Sequence, residues 1–301
     1  MSVVLLSGGT GGAKLARGLY ELIGDELVVI ANTGDDVEIH GAHVSPDPDL
    51  VTYWLADRID ERGWGIRDDS FAAMEMLREL GVDVWFSLGD RDLALCLRRR
   101  ELLEAGLTLS EAHAELTRAL GVSAQVVPMS DDRVRTTIQS GELTLGLQEF
   151  LIVHRGALPI TAIEFRGAAA AAASPAALAA LSDARAIVIG PSNPVISIGP
   201  ILAIEEIRAA IAESRAPVVA VSPIVGGEVL KGPTAACLAW AGVSADATGV
   251  ARHYEPLLNA IVADETVEGI RMLQCDTRMD DARSRRRVAA DTLQLADSLA
   301  A

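Results

Sequence analysis

The chain predicts an α/β fold with a mainly parallel sheet flanked by helices, on three observations. Short apolar runs, rich in β-branched residues, each end in glycine, asparagine or aspartate. Stretches with apolar residues at helical spacing separate these runs. The core is aliphatic, because 50% of the 301 residues are hydrophobic and only 4% are aromatic. That balance suits strands buried on both faces.

Taken in order, Val3-Val4-Leu5-Leu6 reads as a buried strand. It runs into the glycine turn Ser7-Gly8-Gly9-Thr10-Gly11-Gly12-Ala13-Lys14, and Leu15, Leu19 and Leu22 follow at helical spacing. A strand, a glycine turn and a helix form a phosphate cradle. Glycine lets the backbone approach an anion, and the helix N-terminus offers free N–H groups and partial positive charge. The turn is not a Walker loop, since Ala13 holds the position five after Gly8 and Leu15 follows Lys14. Nor is it a dinucleotide fingerprint, because the third small residue falls on Lys14. A turn that merely packs a helix on a sheet is the competing explanation.

Leu27–Ala31 reads as the second strand and leads into Asn32-Thr33-Gly34-Asp35-Asp36. Val84–Leu88 reads as a further strand before Gly89-Asp90-Arg91-Asp92, and Gln125–Met129 as one before Ser130-Asp131-Asp132. Ala186–Ile189 precedes Gly190-Pro191-Ser192-Asn193-Pro194, and Pro217–Val221 precedes Ser222-Pro223-Ile224-Val225-Gly226-Gly227. Helices are predicted over Ser70–Leu80, from an N-cap at Ser110, over Ile201–Glu213 and over Arg278–Leu299. The last carries Arg285, Arg286 and Arg287 on a solvated or interface face. The alanine-rich Ala168–Leu181, broken by Ser174 and Pro175, reads as a linker and helix start, too short and weakly apolar to cross a bilayer. Residues 1–301 read as one α/β domain with room for an insertion subdomain at about 45–170.

The formal charge of −16 argues against non-specific nucleic-acid binding and against anionic membranes. An anionic substrate would need a local basic or metal-containing site. Cys96, Cys237 and Cys275 are sparse and far apart, as in a reducing cytosol. The chain starts directly with a strand, so a cytoplasmic protein is expected.

In an open parallel sheet, ligands bind outside the carboxyl ends of the strands, where each polar motif falls. Asp35, Asp36, Asp47, Asp49, Asp90, Asp92, Asp131 and Asp132 all lie in these loops. The sharpest segment is His43-Val44-Ser45-Pro46-Asp47-Pro48-Asp49. In extended backbone, residues two apart point the same way, and Pro46 and Pro48 stiffen that presentation. Two carboxylates about 4 Å apart repel by about 4 kcal/mol at an effective dielectric of 20, so such a pair recruits a cation or a proton. Oxygen ligands without a Cys/His cluster point to Mg²⁺. Ordinary turn chemistry competes for any one of these pairs. His40 and His43 flank the acidic loop; His113, His154 and His253 are isolated. Ser192 and Asn193 form a loop suited to a base edge or ribose, and Ser222-Pro223 with Gly226, Gly227 and Lys231 one suited to a second phosphate or the base. A glycine cradle, a hard-metal site and no nucleophile dyad fit phosphoryl-ester transfer to an acceptor hydroxyl.

Gly8-Gly9-Thr10-Gly11, Asn32-Thr33 with Asp36, Ser45-Pro46-Asp47, Trp64-Gly65-Ile66, Leu88-Gly89-Asp90-Arg91-Asp92, Pro128-Met129-Ser130-Asp131-Asp132, Gly190-Pro191-Ser192-Asn193-Pro194, Ser197-Ile198-Gly199-Pro200 and Ser222-Pro223-Ile224, in that order, resemble the 2-phospho-L-lactate transferases of coenzyme F-420 biosynthesis. The resemblance runs from the first strand to about residue 280. It implies a Rossmann-like fold, a Mg²⁺-dependent reaction and a homodimer. A guanylylated C3 acid, lactyl or enolpyruvyl, would donate its phosphorylated acid to the side-chain hydroxyl of the deazaflavin Fo, releasing GMP. By position, Gly8, Gly9, Thr10, Gly11, Gly12 and Lys14, Gly190, Pro191, Ser192 and Asn193, and Ser222, Pro223 and Gly226 would hold the guanosine diphosphate part. Asp47 and Asp49 would hold the metal and carry catalysis. Asn32, Asp35, Asp36, His43, Asp49, Asp90, Arg91 and Met129 would line the Fo side. The family reads Pro-Asp-Leu-Asp-Thr where this chain has Pro46-Asp47-Pro48-Asp49-Leu50, so the threonine hydroxyl is lost. A non-enzymatic branch that binds nucleotide sugars resembles the glycine turn alone. A dinucleotide oxidoreductase with Asp35 on a ribose lacks its third glycine and a proton relay. The choice among phospholactate, phosphoenolpyruvate and phosphoglycerate is not written in these motifs.

Overall fold

The computed structural model describes residues 1–230 and 232–300. Its centre is a seven-stranded sheet. The strands are β1 (Ser2–Ser7), β2 (Leu27–Ala31), β3 (Gln125–Pro128), β4 (Ala184–Ile189), β5 (Val218–Val221), β6 (Ala260–Ala263) and β7 (Arg271–Gln274). They lie in the order β7-β6-β5-β4-β1-β2-β3, and every neighbouring pair is parallel. This is a doubly wound arrangement whose strand order reverses between β1 and β4.

Alternation along β1 shows how the sheet is covered. Val3 and Leu5 pack into one apolar cluster with Leu15, Leu19 and Val288; Val4 and Leu6 pack into another with Ile204, Ile207 and Ile211. The first face is covered by α1 (Gly9–Ile23) and the C-terminal helix Ala282–Ala300, the second by helices Pro175–Ser182 and Glu205–Glu213. Gly18 lets the C-terminal helix sit against α1, since a Cβ there would lie 2.4 Å from the Arg285 carbonyl oxygen.

Between β2 and β3 the chain builds α2 (Pro46–Leu55), α3 (Ala72–Glu79), α4 (Asp90–Glu104) and α5 (Leu109–Ala119). Between β3 and β4 it builds a three-stranded antiparallel sheet of Arg135–Ser140, Leu143–Gly146 and Ala162–Arg166. The stretch at about 45–170 therefore returns once to the main sheet, at β3. Among the described residues no helix is long and apolar enough to cross a membrane.

Two expectations are corrected. Val84–Leu88 is not a strand. Phe86 and Leu88 bury against Val44, Met74 and Cys96, so α3, α4 and the Ala42–Val44 strand supply the cover that a sheet neighbour would have given. Ser110 is not the N-cap of α5. Thr108 is, in a capping box: its hydroxyl accepts from the Glu111 N–H at 3.2 Å and the Glu111 carboxylate accepts from the Thr108 N–H at 2.8 Å. The Ser110 N–H donates instead to Asp131 at 2.7 Å.

Candidate functional site

The strand-order reversal opens a cavity of about 540 Å³. Gly8, Gly9, Thr10, Gly11 and Lys14 line one wall, Pro191, Ser192 and Asn193 a second, and Ser222 and Pro223 a third. Three loops spread over more than two hundred positions of sequence thus converge as the strand ends predict.

The glycine turn is the first turn of α1, which starts at Gly9 with Gly8 as an extended N-cap. Gly8 brings no side-chain oxygen, so the first-turn N–H groups are left to other partners. The Gly8 N–H donates to Ser192 Oγ at 3.1 Å and the Gly9 N–H to Asp47 Oδ1 at 2.5 Å. A Cβ on Gly11 would lie 2.0 Å from the Pro191 carbonyl oxygen, and one on Gly12 2.3 Å from Ser7 Oγ. These glycines press the helix start against β1 and the β4 loop, so packing accounts for Gly11 and Gly12, while Gly8 and Gly9 meet Asp47. Gly11→Ala must displace the Pro191 backbone. Overpacking of this kind costs about 1–3 kcal/mol, so a lowered melting temperature in a thermal scan is expected together with weaker nucleotide binding.

The other loop residues divide by what their polar atoms already do. Asn193 Oδ1 accepts from the Val195 and Ile196 N–H groups at 2.9 and 3.1 Å, and its Nδ2 donates to Thr234 Oγ1 at 3.2 Å. Ser222 Oγ accepts from the Ile224 N–H at 3.1 Å. Gly190 packs on the Leu6 carbonyl, and the Gly226 N–H is held by Asp264. Lys231 lies outside the described residues.

The shared face expected of Asp47 and Asp49 does not form. Ser45 precedes a helix with Pro46 at its first position, which places Asp47 and Asp49 in the first turn of α2. At 3.6 residues per turn, positions two apart diverge by about 200°. Asp47 faces α1 and β2: besides Gly9 it accepts from Asn32 Nδ2 at 2.9 Å. Asp49 turns to α4, where Arg99 grips both carboxylate oxygens. Arg99 is fully buried and also donates to the His43 carbonyl at 2.9 Å. Burial works against its charge, but Asp49 more than restores it and the guanidinium stays protonated. His113, 3.9 Å from Asp49, is held neutral by burial and by Arg99. Arg99 is therefore the cation for Asp49.

Asp47 is held by neutral donors, the Gly9 N–H and the Asn32 amide. Asn32 Nδ2 also reaches Asp35 Oδ1 at 3.4 Å. Burial, then repulsion from Asp47 and Asp36, pushes the Asp35 carboxyl well above its usual range. Burial pushes Asp47 up to about 6, against the hydrogen bonds from Asn32 and Gly9. Asp36 accepts from Ser45 Oγ at 2.8 Å and pairs with His43 Nε2 at 3.0 Å.

Asp35 and Asp36 open onto a second cavity of about 250 Å³, with Trp85, Arg133, Arg135 and Gln148 on its walls. Gln148 Nε2 donates to Asp35 Oδ2 at 3.0 Å. Neither Gln148 nor Arg99 stood in a recognisable motif; the one signal for Arg99 was a charged residue on the buried side of a helix otherwise bearing Cys96 and Leu102.

Asp90, Arg91 and Met129 are among the predicted residues that line neither cavity. Asp90 accepts from Ser70 Oγ and the Ala72 and Ala73 N–H groups, fixing the start of α3. Arg91 is exposed and donates to the Arg67 carbonyl. Met129 is fully buried beneath β2 and β3. Asp49, Asp92 and Cys96 lie within 4.8 Å of one another, but that cluster already holds the Arg99 guanidinium and the Tyr53 hydroxyl, which donates to Asp92 at 2.6 Å.

Comparison with known proteins bears on what this arrangement serves. The family model described as 2-phospho-L-lactate transferase CofD matches residues 3–296. The chain is 41% identical to the 2-phospho-L-lactate transferase of Methanopyrus kandleri, over 99% of each chain. It is 38% identical to the 2-phospho-L-lactate transferase of Methanosarcina mazei over 87% of each, and 41% identical to the phosphoenolpyruvate transferase of Mycobacterium leprae over 84% of each. A solved structure of a UPF0052-family protein from Bacillus halodurans shares the fold, with a TM-score of 0.67 at 15% identity over 97% of this chain and 98% of that one. With the switch-point cavity, the glycine cradle and near-complete alignment to named transferases in agreement, the chain belongs to the 2-phospho-L-lactate transferase family.

Proposed function

We propose that this protein transfers a phosphorylated C3 acid, 2-phospho-L-lactate or phosphoenolpyruvate, from its guanosine-diphosphate-activated form to the side-chain hydroxyl of the deazaflavin Fo. The Fo oxygen forms a bond to the acid's phosphorus, the P–O–P bond breaks, and GMP leaves. One observation carries this reading: Asp47 is bonded to the wall of one cavity and, through Asn32, tied to the wall of the other. It accepts from Gly9 in the wall of the larger cavity and from Asn32, which also bonds Asp35 in the wall of the smaller one.

The larger cavity is the donor side. Its wall of α1 N-terminus and Lys14 suits a diphosphate. The smaller cavity is the acceptor side, with Trp85 as a surface for a flat ring and Gln148, Asp35 and Arg135 as polar contacts. Mg²⁺ fits the carboxylate group between them. Two buried carboxyls there are raised because burial outweighs the hydrogen bonds to Asp47 and the pull of Arg135 on Asp35, and Mg²⁺ is commonly held by one or two carboxylates plus substrate phosphates. Asp47 and Asp35 would hold it. When bound it would neutralise the charge that builds on the breaking diphosphate. Ser45 and His43 hold Asp36, and Arg99 holds Asp49, so both keep the corner of the loop in place rather than reaching the donor.

Calorimetry with GDP and fluorescence titration with Fo test the two sides separately. Each ligand is expected to bind in the presence of the other. Tighter binding of NAD than of GDP, or an unchanged Fo spectrum at saturating protein, contradicts the reading. The metal assignment has its own pH signature. Asp47 is raised to about 6, so a proton competes with the cation below that value. Mn²⁺ affinity, read by electron paramagnetic resonance, is expected to fall as pH is lowered through about 6, where Asp47 takes up its proton.

A further inference from the structure

The hairpin after β5 supplies part of the wall of the larger cavity and is itself lightly built. Ile224–Val225 pairs antiparallel with Glu228–Val229, Ile224 opposite Val229 and Val225 opposite Glu228. This ribbon joins no other sheet among the described residues. Its turn is Gly226-Gly227, with φ of +63° and +73°, the positive values that a two-residue hairpin loop demands. A ribbon this short is marginal alone, so its place depends on what ties it down. At the base, Ile224 is fully buried and its N–H donates to Ser222 Oγ at 3.1 Å. At the tip the tie is a carboxylate: the Gly226 N–H donates to Asp264 Oδ2. Asp264 directly follows β6, and Gln274 Nε2 of β7 donates to its carbonyl at 3.1 Å. The tip is thereby fastened to two strands of the main sheet.

What the hairpin brings to the cavity is apolar. Val225, Val229 and the adjoining Leu230 all line it, whereas Asp264 does not. The other carboxylate oxygen, Asp264 Oδ1, is buried with no hydrogen-bond partner among the described residues. A buried acceptor left unpaired opposes folding, so this carboxylate is a poor stabiliser. What it fixes is where the hairpin stands.

We propose that Asp264 is a positioning residue for the transfer: it clamps the Ile224–Val229 hairpin against the donor cavity, so that Fo and not water attacks the donor. The proposal rests on the larger cavity being the donor side. Water can replace the Fo hydroxyl in the same displacement. Its oxygen then bonds to the acid's phosphorus, the P–O–P bond breaks, GMP leaves, a water proton passes to solvent and the free phosphorylated acid results. An apolar wall held in place keeps water from that phosphorus. Without the carboxylate, the Gly226 N–H turns to solvent and the tip is no longer fastened to β6 and β7.

The test uses the full chain with Mg²⁺, Fo, GTP, a C3 acid and the activating guanylyltransferase. It counts GMP released against Fo-derived product, after subtraction of a reaction lacking this protein. The wild-type ratio is expected to be about one, since each attack by Fo releases one GMP. Asp264→Ala is expected to raise the ratio about tenfold or more, the shift that loss of one hydrogen bond to a charged group allows. Asp264→Asn keeps an oxygen that accepts from Gly226 and is expected to restore most of the coupling. Leu230→Ser, at a side chain 54% exposed and so outside the core, is expected to raise the ratio by making the wall wettable. Both products come from folded molecules only, so the ratio does not move when a variant merely folds less well. A ratio that stays near one in Asp264→Ala overturns the clamp, as does an Asp264→Asn that leaks as much as Asp264→Ala. A folded Asp264→Ala that releases no GMP also overturns it, by placing Asp264 in donor binding. An unchanged ratio in Leu230→Ser, or a wild-type ratio well above one, overturns water exclusion by the hairpin. A wild-type protein that yields no Fo-derived product overturns instead the transfer reading on which the proposal rests.

Discussion

Asp47→Asn is expected to abolish transfer while making the protein more stable. The carboxyl sits between the Gly9 N–H and the Asn32 amide, both neutral donors, and burial lifts it to about 6. Its unfolded value is about 3.9. A folded-state value above the unfolded one means that ionisation opposes folding: the penalty is absent below the unfolded value, grows through the interval up to about 6, and is complete above it. At pH 7 a difference of this size is on the order of 3 kcal/mol, which the uncharged amide avoids. Weaker hydrogen bonds from Gly9 and Asn32 to a neutral acceptor offset part of that gain. The expected result is a melting temperature a few degrees higher at pH 7, a difference that shrinks toward pH 4, and at least a thousandfold loss of kcat with GDP affinity kept. A variant equally destabilised at both pH values would contradict the electrostatic argument. Retained kcat would remove Asp47 from the reaction. Stability gained by deleting a functional charge is the ordinary trade at active sites.

Arg99→Met is expected to act in the opposite direction on stability. The guanidinium is fully buried and is gripped by Asp49 on α2 and by the His43 carbonyl next to the short Ala42–Val44 strand. These contacts lie on either side of Ser45-Pro46-Asp47, so one side chain on α4 fixes the corner that presents Asp47 to α1. Removing it strands the Asp49 charge beside Asp92, which burial and Asp49 already push up to about 6. Breaking one partner of a buried pair typically costs about 3–5 kcal/mol, or about 10 °C in a chain of this size. Replacing both partners removes the stranded charge, so Arg99→Met with Asp49→Asn is expected to recover most of the stability in a double-mutant cycle. If the double variant is no better than the single one, Asp49 is more than the partner of Arg99.

Much of the fold was legible because strand, turn and helix signals agreed at each step. β1, β2, β3, β4 and β5 all fall on apolar runs ending in glycine, asparagine or a polar turn, and the loops after them converge where parallel topology requires. Val84–Leu88 misled because alternating burial is the same whether a sheet or a pair of helices provides the cover. Ser45-Pro46-Asp47 misled in a more informative way. Two aspartates two residues apart suggest a shared face only in extended backbone, but Ser followed by Pro is also a helix start. The helical reading sends Asp47 and Asp49 to different partners, and only three-dimensional packing shows that Asp49 meets Arg99. Gln148 carried no local signal, since its neighbours in the chain are ordinary helix residues.

The central claim is that the donor's distal phosphorus moves to Fo between the two cavities joined at Asp47. Its most direct test is a product-mass assay with purified protein, Mg²⁺, Fo, GTP, the activating guanylyltransferase, and phospholactate, phosphoenolpyruvate or phosphoglycerate in turn. The expected result is a product of Fo joined to one phosphorylated acid, with one GMP released per Fo consumed and nothing formed without Mg²⁺. Release of GDP in place of GMP, or no Fo-derived product with any of the three acids, would contradict it.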